Sequence, residues 1–146
     1  LLGNIYYNQG QTDRAIDNYL ISSRLRPNEV AHYNLSVAYG AKGMMDNVIE
    51  HAEKALELKP DYAEAYANLG SAYLLKGQAD SAIVNYLQAL KLKPDYELAH
   101  YNLGRAYLDT GMVDEAASEL ETVLHLNINH QQARKLLTSI KQEKKN

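Results

Sequence analysis

The chain has 146 residues, a formal net charge of −3 and 46% hydrophobic residues, which suits a single globular domain. It contains no cysteine, which excludes disulfides and thiol chemistry but leaves the compartment open, with a soluble cytoplasmic protein as the default expectation. The mild acidity without a basic block argues against nucleic acid as a partner, because neutralising phosphates needs clustered Lys and Arg. No run approaches about 18 apolar residues, so direct membrane insertion is not expected.

The sequence repeats itself at a fixed period. The tripeptide Asn-Leu-Gly at residues 68–70 recurs 34 residues later at 102–104, and as Asn-Leu-Ser 34 residues earlier at 34–36. A period of this size predicts stacked structural repeats. We therefore divide the chain into a partial repeat (1–28), full repeats (29–62, 63–96 and 97–130) and a C-terminal segment (131–146).

The partial repeat begins inside its first helix, because Leu2, Gly3 and Tyr6 align with the same positions of the next repeat and about one turn is missing. We interpret the chain as a C-terminal piece of a longer protein. Leu1, Leu2 and Tyr6 would then present apolar surface that a preceding repeat covers. We therefore expect that the chain can self-associate through this open N-terminal end.

Each full repeat is predicted to form two amphipathic helices. In the central repeat the buried faces are Tyr66, Leu69, Gly70 and Tyr73 on the first helix, and Ala82, Ile83, Tyr86, Ala89 and Leu90 on the second. Gly77 is expected to end the first helix in the left-handed conformation, Asp80 to lie near the start of the second, and Pro94 to close the unit. The repeat 29–62 differs at Ser36, Val48 and Ala52, which we interpret as repacking and not as a functional site.

The C-terminal segment is predicted to be one helix with a polar outer face. Its apolar residues are Ala133, Leu136, Leu137 and Ile140, followed by a lysine-rich end at 141–146. We expect this helix to close the array, and the lysines to solubilise its end and not to bind a membrane or nucleic acid.

Four features recur at the same positions of successive repeats. They are the period itself, the small residues at the helix crossings, the tyrosines beside them and the closing proline. This combination resembles the tetratricopeptide repeat (TPR) family over essentially the whole chain. The resemblance implies an all-α fold, a right-handed α-solenoid of stacked helix-turn-helix repeats with a C-terminal capping helix. It also implies a non-catalytic protein-protein interaction scaffold that binds a partner peptide or helix in its concave groove. The alternative is an accessory or oligomerisation arm of a larger enzyme or membrane protein.

No constellation of catalytic or metal-binding residues emerges from the sequence. His32 and His100 stand on the packed face where the central repeat has a tyrosine, and His51 is expected to lie away from both. His125 and His130 straddle a turn, which is poor geometry for shared ligation. The glycines recur at helix ends and form no phosphate loop. We therefore expect no enzyme activity, no metal and no cofactor.

The face of each first helix that points away from the core is predicted to bind a protein or peptide segment. The stripe comprises Asn4, Asn8, Asn34, Val37, Glu64, Asn68, Ser71, Leu75, Leu98, Asn102, Arg105 and Asp109, bordered by Tyr7, Tyr33, Leu74, Tyr101 and Leu108. Apolar and aromatic side chains on a face outside the core indicate a contact surface. Arg105 is expected to pair with its neighbour Asp109.

Asn34, Asn68 and Asn102 recur one repeat apart in this stripe. A carboxamide both donates and accepts, so such a ladder can pair with the backbone of an extended peptide, similar to the repeat region of O-linked N-acetylglucosamine transferases. The alternative is that Asn is simply common at this family position and stays hydrated. Family members that clamp chaperone C-terminal tails need basic residues where Glu64 and Asn68 stand, so such a tail is not expected as a ligand.

Overall fold

The computed structural model describes residues 2–143, and all its regular secondary structure is helical. The helices are α1 (Leu2–Asn8), α2 (Thr12–Leu25), α3 (Glu29–Ala41), α4 (Met45–Leu58), α5 (Ala63–Leu75), α6 (Ala79–Leu92), α7 (Glu97–Asp109), α8 (Val113–Leu126) and α9 (Gln131–Glu143). Leu1 and residues 144–146 of the lysine-rich end lie outside the described residues. Within residues 2–143, no helix has the length and apolar character needed to cross a bilayer.

The turn inside each repeat has the same geometry. Gly10, Gly43, Gly77 and Gly111 have φ between 72° and 77°, the left-handed region that a side chain disfavours. In the central repeat the amides of Gly77 and Gln78 donate to the carbonyls of Leu74 and Tyr73, at 3.0 and 2.9 Å, and so satisfy the end of α5. The expected role of Gly77 is confirmed.

The second helix of each repeat carries an acidic residue in its first turn. Asp80 is the second residue of α6, and the cap position, Gln78, makes no side-chain capping bond. A carboxylate there is favoured by the positive end of the helix dipole.

Each helix packs chiefly against its neighbours in sequence, from α1 on α2 through to α8 on α9. The first helices of successive repeats also touch, α3 on α5 and α5 on α7. The first helices therefore form one layer and the second helices another. This is an all-α solenoid, in which contacts do not reach beyond adjacent units.

The core alternates very small side chains with a few large ones. Tyr86 is the largest fully buried side chain, and its ring lies against Gly70, with Ala82 and Ala89 also fully buried. A Cβ at residue 70 would lie 2.9 Å from a ring carbon of Tyr86, so only glycine fits there. The predicted packed face of the central repeat is confirmed, with Tyr66 and Tyr73 half-buried at its edge.

In the repeat 29–62, the three residues that depart from the pattern, Ser36, Val48 and Ala52, are all buried. The expectation that His51 lies apart from His32 is wrong: their Nδ1 atoms are 3.1 Å apart, and His51 stacks on Tyr39. Positions 19 residues apart face each other across a helix pair, as His100 and Glu119 also do. A wheel drawn for one helix cannot show such a pair.

The two ends of the array differ in how well they are covered. α9 lies on α8 through Ala133, Leu137 and Ile140, which are buried. At the other end Leu2 and Leu25 are 55% and 78% exposed. The N-terminal end therefore has an uncovered apolar surface, whereas the C-terminal end is closed by a helix.

Candidate peptide-binding groove

The outer faces of α1, α3, α5 and α7 form the surface that we call the groove. Apolar side chains stand exposed on it, with Leu75 and Leu98 at 68% and 53% exposure. Val37 and Glu64 are half-buried, and Asn8 is exposed. Leu74, expected to border the groove, is buried in the core, because its helix position turns it towards the next repeat.

Asn34 and Asn68 hydrogen-bond across repeat boundaries, whereas Asn102 bonds only within its own helix. Nδ2 of Asn34 donates to Oδ1 of Asn4 at 3.3 Å, and the same oxygen accepts from the Tyr19 hydroxyl at 2.7 Å. Nδ2 of Asn68 donates to Oγ of Ser36 at 3.1 Å. One amide hydrogen of each is thereby fixed, while Oδ1 of Asn34 and of Asn68 accept no hydrogen bond from within residues 2–143.

Ser71 and Arg105 occupy the same register position in successive repeats but differ in their partners. The Ser71 hydroxyl donates to the carbonyl of Ala67 at 2.9 Å and lies 3.0 Å from the Tyr86 hydroxyl, so it ties the groove to the core. Arg105 makes only a long contact, 3.5 Å, from Nη1 to Oδ1 of Asn102. The expected pairing of Arg105 with Asp109 is wrong, since no ion pair joins them in the structure.

Aromatic rings pair at the start of the first helices, a feature that our sequence analysis missed. The rings of Tyr33 and Tyr62 lie 4.9 Å apart, and those of Tyr101 and His130 lie 4.7 Å apart in the same register. The central repeat has Ala67 opposite Tyr96 instead. The signal was available, because the last residue of every full repeat is aromatic or His.

Burial keeps these tyrosines neutral, although two of the rings also have a cation over them. The ammonium groups of Lys59 and Lys93 lie over the rings of Tyr62 and Tyr96, at 4.9 and 4.7 Å from the centroids. Burial raises the pKa of both hydroxyls to about 12, and it also raises the pKa of Tyr33. At neutral pH these hydroxyls are therefore hydrogen-bond donors.

Two cavities open onto the groove. One, of about 260 Å³, lies between α1 and α3 and is lined by Asn4, Tyr7, Asn8, Tyr19, Tyr33, Asn34 and Val37. The other, of about 470 Å³, lies between α7 and α9 and is lined by Tyr101, Arg105, Leu108, Asp109, Gln132, Lys135 and Leu136. The capping helix thus contributes a wall of the groove, which the sequence analysis did not anticipate.

The histidines have structural partners. His100 lies 2.5 Å from Glu119 through Nδ1 and 2.8 Å from the carbonyl of Pro94 through Nε2. His130 immediately precedes α9, and its Nδ1 accepts from the amide of Ala133 at 3.2 Å. Within residues 2–143, no three His, Asp or Glu side chains converge on a point where they could hold a metal ion.

Comparison with known protein families supports this architecture. Models described as tetratricopeptide repeat or TPR repeat match residues 30–62, 51–84, 70–111 and 98–130, which together run from 30 to 130. Mitochondrial import receptor subunit TOM70 of Saccharomyces cerevisiae is 39% identical over 62 residues, which is 42% of this chain. The matched segment spans only 10% of that receptor's length.

Solved structures show the same fold. The crystal structure of MamA superposes with a TM-score of 0.92 at 27% identity, over 99% of this chain and 85% of that one. The second TPR domain of human RPAP3, in complex with the HSP70 peptide SGPTIEEVD, has a TM-score of 0.73 at 27% identity, over 77% of this chain and 93% of that one. Proteins of this class typically bind other proteins and do not catalyse reactions. The chain belongs to the tetratricopeptide repeat family and is a protein-interaction scaffold of that family.

Proposed function

We propose that the chain binds an extended segment of a partner protein along its groove, without catalysing a reaction. The observation that carries this proposal is the orientation of Asn34 and Asn68. Each carboxamide is fixed through one hydrogen bond to the preceding repeat, while its oxygen stays available as an acceptor. An amide that is already oriented loses less conformational entropy on binding than a free one.

The chemistry of the groove matches that of a peptide backbone. Backbone N–H groups of an extended partner would donate to the Asn oxygens, and its carbonyls would accept from the remaining amide hydrogens. Because these are main-chain groups, such contacts give affinity without selecting a sequence. The exposed Leu75 and Leu98 lie alongside and would cover apolar side chains of the same segment.

Known relatives agree with a peptide ligand. The RPAP3 domain described above was solved with a bound peptide, and TOM70 is named as an import receptor. Because the matched segment is 10% of TOM70, we infer only a protein or peptide ligand from it and not that receptor's own partners.

The test is selection of random linear peptides displayed on phage against the purified chain, followed by affinity measurements on variants. The groove variant carries Asn34→Ala, Asn68→Ala, Asn102→Ala and Tyr101→Ala. We expect it to bind the selected peptides about tenfold more weakly or worse, because each lost hydrogen bond contributes about 0.5–1.5 kcal/mol.

The matched control replaces asparagines outside the groove. Asn18 and Asn85 lie on second helices, and each donates to a carbonyl of its own helix at 2.8 Å. The double variant Asn18→Ala, Asn85→Ala should bind as the parent does. Equal binding by the groove variant, or an equal loss in the control, would contradict the proposal, provided that circular dichroism shows both variants folded.

A second candidate function is self-association at the N-terminal end. Leu2, Ile5, Ile21 and Leu25 are all more than half exposed there, and Leu2, Ile21 and Leu25 border a cavity of about 220 Å³. A second copy of the chain would cover this apolar surface. Light scattering across a dilution series should then show a concentration-dependent dimer that the variant Leu2→Ser, Leu25→Ser does not form. A monomer at every concentration would contradict this candidate.

A further inference from the structure

We propose that the cavity between α7 and α9 receives an acidic side chain flanked by apolar side chains, from an internal stretch of the partner segment. This inference rests on the proposed function and specifies the chemistry of one end of the groove. Its residues come from two elements, a first helix and the capping helix, so that the subsite exists only at the C-terminal end of the array.

The cavity has more positive than negative charge. Arg105 and Lys135 line it together with one acidic residue, Asp109. Neither cation forms an ion pair with another described residue. Among the other described lysines, Lys42, Lys54, Lys76, Lys93 and Lys141 are each paired with a carboxylate, whereas Lys59 and Lys91 form no ion pair. In a chain of net charge −3, a cavity lined by two cations that form no ion pair and by a single carboxylate favours an anionic group of a partner.

Part of the cavity wall is apolar. Leu108 and Leu136 are half-buried and line it with Tyr101, whose ring packs on that of His130. Arg105 and Lys135 are exposed at the edge of these apolar side chains, so each can reach a carboxylate whose neighbours lie on the leucines. Apolar residues on either side of the acidic one would cover the leucines. An acidic residue within an apolar stretch therefore fits this cavity better than a run of acidic residues.

The opposite end of the groove has different chemistry. The cavity between α1 and α3 is lined by Asn, Tyr and Val side chains and contains no charged residue. The groove is thus neutral at its N-terminal end and cationic at its C-terminal end. An extended partner with one acidic position near one of its ends would therefore bind in a single direction, with that position against α7 and α9.

The test uses blocked pentapeptides and nuclear magnetic resonance of the isotope-labelled chain. The probes are Ac-Ser-Leu-Glu-Leu-Ser-NH2, its Gln and Lys analogues, and the Gln peptide with a free terminal carboxylate. We expect the Glu peptide to shift the backbone amides of α7 and α9 and to bind about fivefold more tightly than the Gln amide, with the Lys peptide weakest. The preference should shrink as salt is added, because salt screens exposed charges.

Two variants assign the effect to the cavity. In Arg105→Gln with Lys135→Gln, the preference for Glu over Gln should fall below about twofold. The control is Lys91→Gln, which removes an exposed lysine of α6 outside the cavity and should leave the preference unchanged.

The outcomes separate this inference from the proposed function. If all four peptides shift groove amides equally, the groove binds peptides but the acidic preference is wrong. If the free-acid Gln peptide binds as tightly as the Glu amide, the cavity recognises a chain terminus, and an internal acidic residue is wrong. If no peptide shifts any amide of the groove, this inference is overturned, and the phage selection then decides whether the broader proposal fails with it.

Discussion

Replacing Gly70 by Ala should destabilise the fold, although alanine is the better helix former. The added Cβ would lie 2.9, 3.0 and 3.1 Å from three atoms of the Tyr86 ring. That ring cannot withdraw, because Tyr86 is fully buried and its hydroxyl is held by Ser71. Overpacking of this kind costs about 1–3 kcal/mol, from which the helix propensity of Ala returns about 1 kcal/mol.

The chain offers a matched control at Gly40, which also lies inside a first helix. A Cβ there would meet only Cγ2 of Val48 at 3.7 Å, an ordinary contact. Gly40→Ala should therefore stabilise the protein by about 1 kcal/mol, since only the propensity changes. The two variants should differ by the overpacking cost of about 1–3 kcal/mol, or roughly 3–10 °C in the midpoint of thermal unfolding at this chain length.

The measurement is thermal and urea unfolding followed by circular dichroism. A third variant adds Tyr86→Leu to Gly70→Ala, which puts at position 86 the leucine that the next repeat has there, Leu120; that leucine would approach a Cβ at residue 104 to 3.3 Å. This double variant should be more stable than the sum of its single changes predicts. If Gly70→Ala is as stable as Gly40→Ala, or if the two changes are simply additive, the assigned contact between residue 70 and the ring is wrong.

Three further predictions concern titration and the turns. Burial holds the pKa of His32 and His51 below the usual 6.5, so the stability that the neutral imidazoles contribute is present above pH 6.5 and is lost as the pH falls. The variant His32→Tyr, His51→Asn carries the residues that the central repeat has at these positions. Its urea midpoint should change less than the parent's between about pH 7 and about pH 5. Burial raises the pKa of Tyr86 to about 12, so the stability that its neutral hydroxyl contributes is present below pH 10 and is lost as the pH rises towards 12. Tyr86→Phe should reduce this alkaline loss of stability by about 3 kcal/mol, measured in thermal melts up to about pH 12. Gly77→Ala should lower the free energy of unfolding in urea by about 1–2 kcal/mol. The cause is the φ of 73° alone, because no atom lies within 4 Å of the new Cβ. An unchanged urea midpoint would contradict this.

The sequence predicted what depends on nearby residues. The helices of the central repeat and the turn at Gly77 follow from apolar spacing and from the conformational freedom of one glycine. The pairing of Gly70 with a large ring was also foreseeable, because small and large residues alternate in register. Each of these features is set within one repeat.

Contacts between helices or between repeats were harder to predict from the sequence. Asn68 donates to Ser36 of the preceding repeat, and Leu74 is buried by the following one. Lys135 reaches the groove only because α9 packs beside α7. These outcomes depend on the angle between helices, which a helical wheel does not contain.

Because each helix touches only adjacent units, distant repeats have no direct means of communication. A peptide lying along the groove would be the one element in contact with α3, α5 and α7 at once. Such a ligand would act as a brace, joining segments that otherwise open independently from the ends inward. Part of its binding free energy would then be spent on reducing local opening of the repeats. Amide hydrogen exchange in the terminal helices should therefore slow when a peptide occupies the middle of the groove.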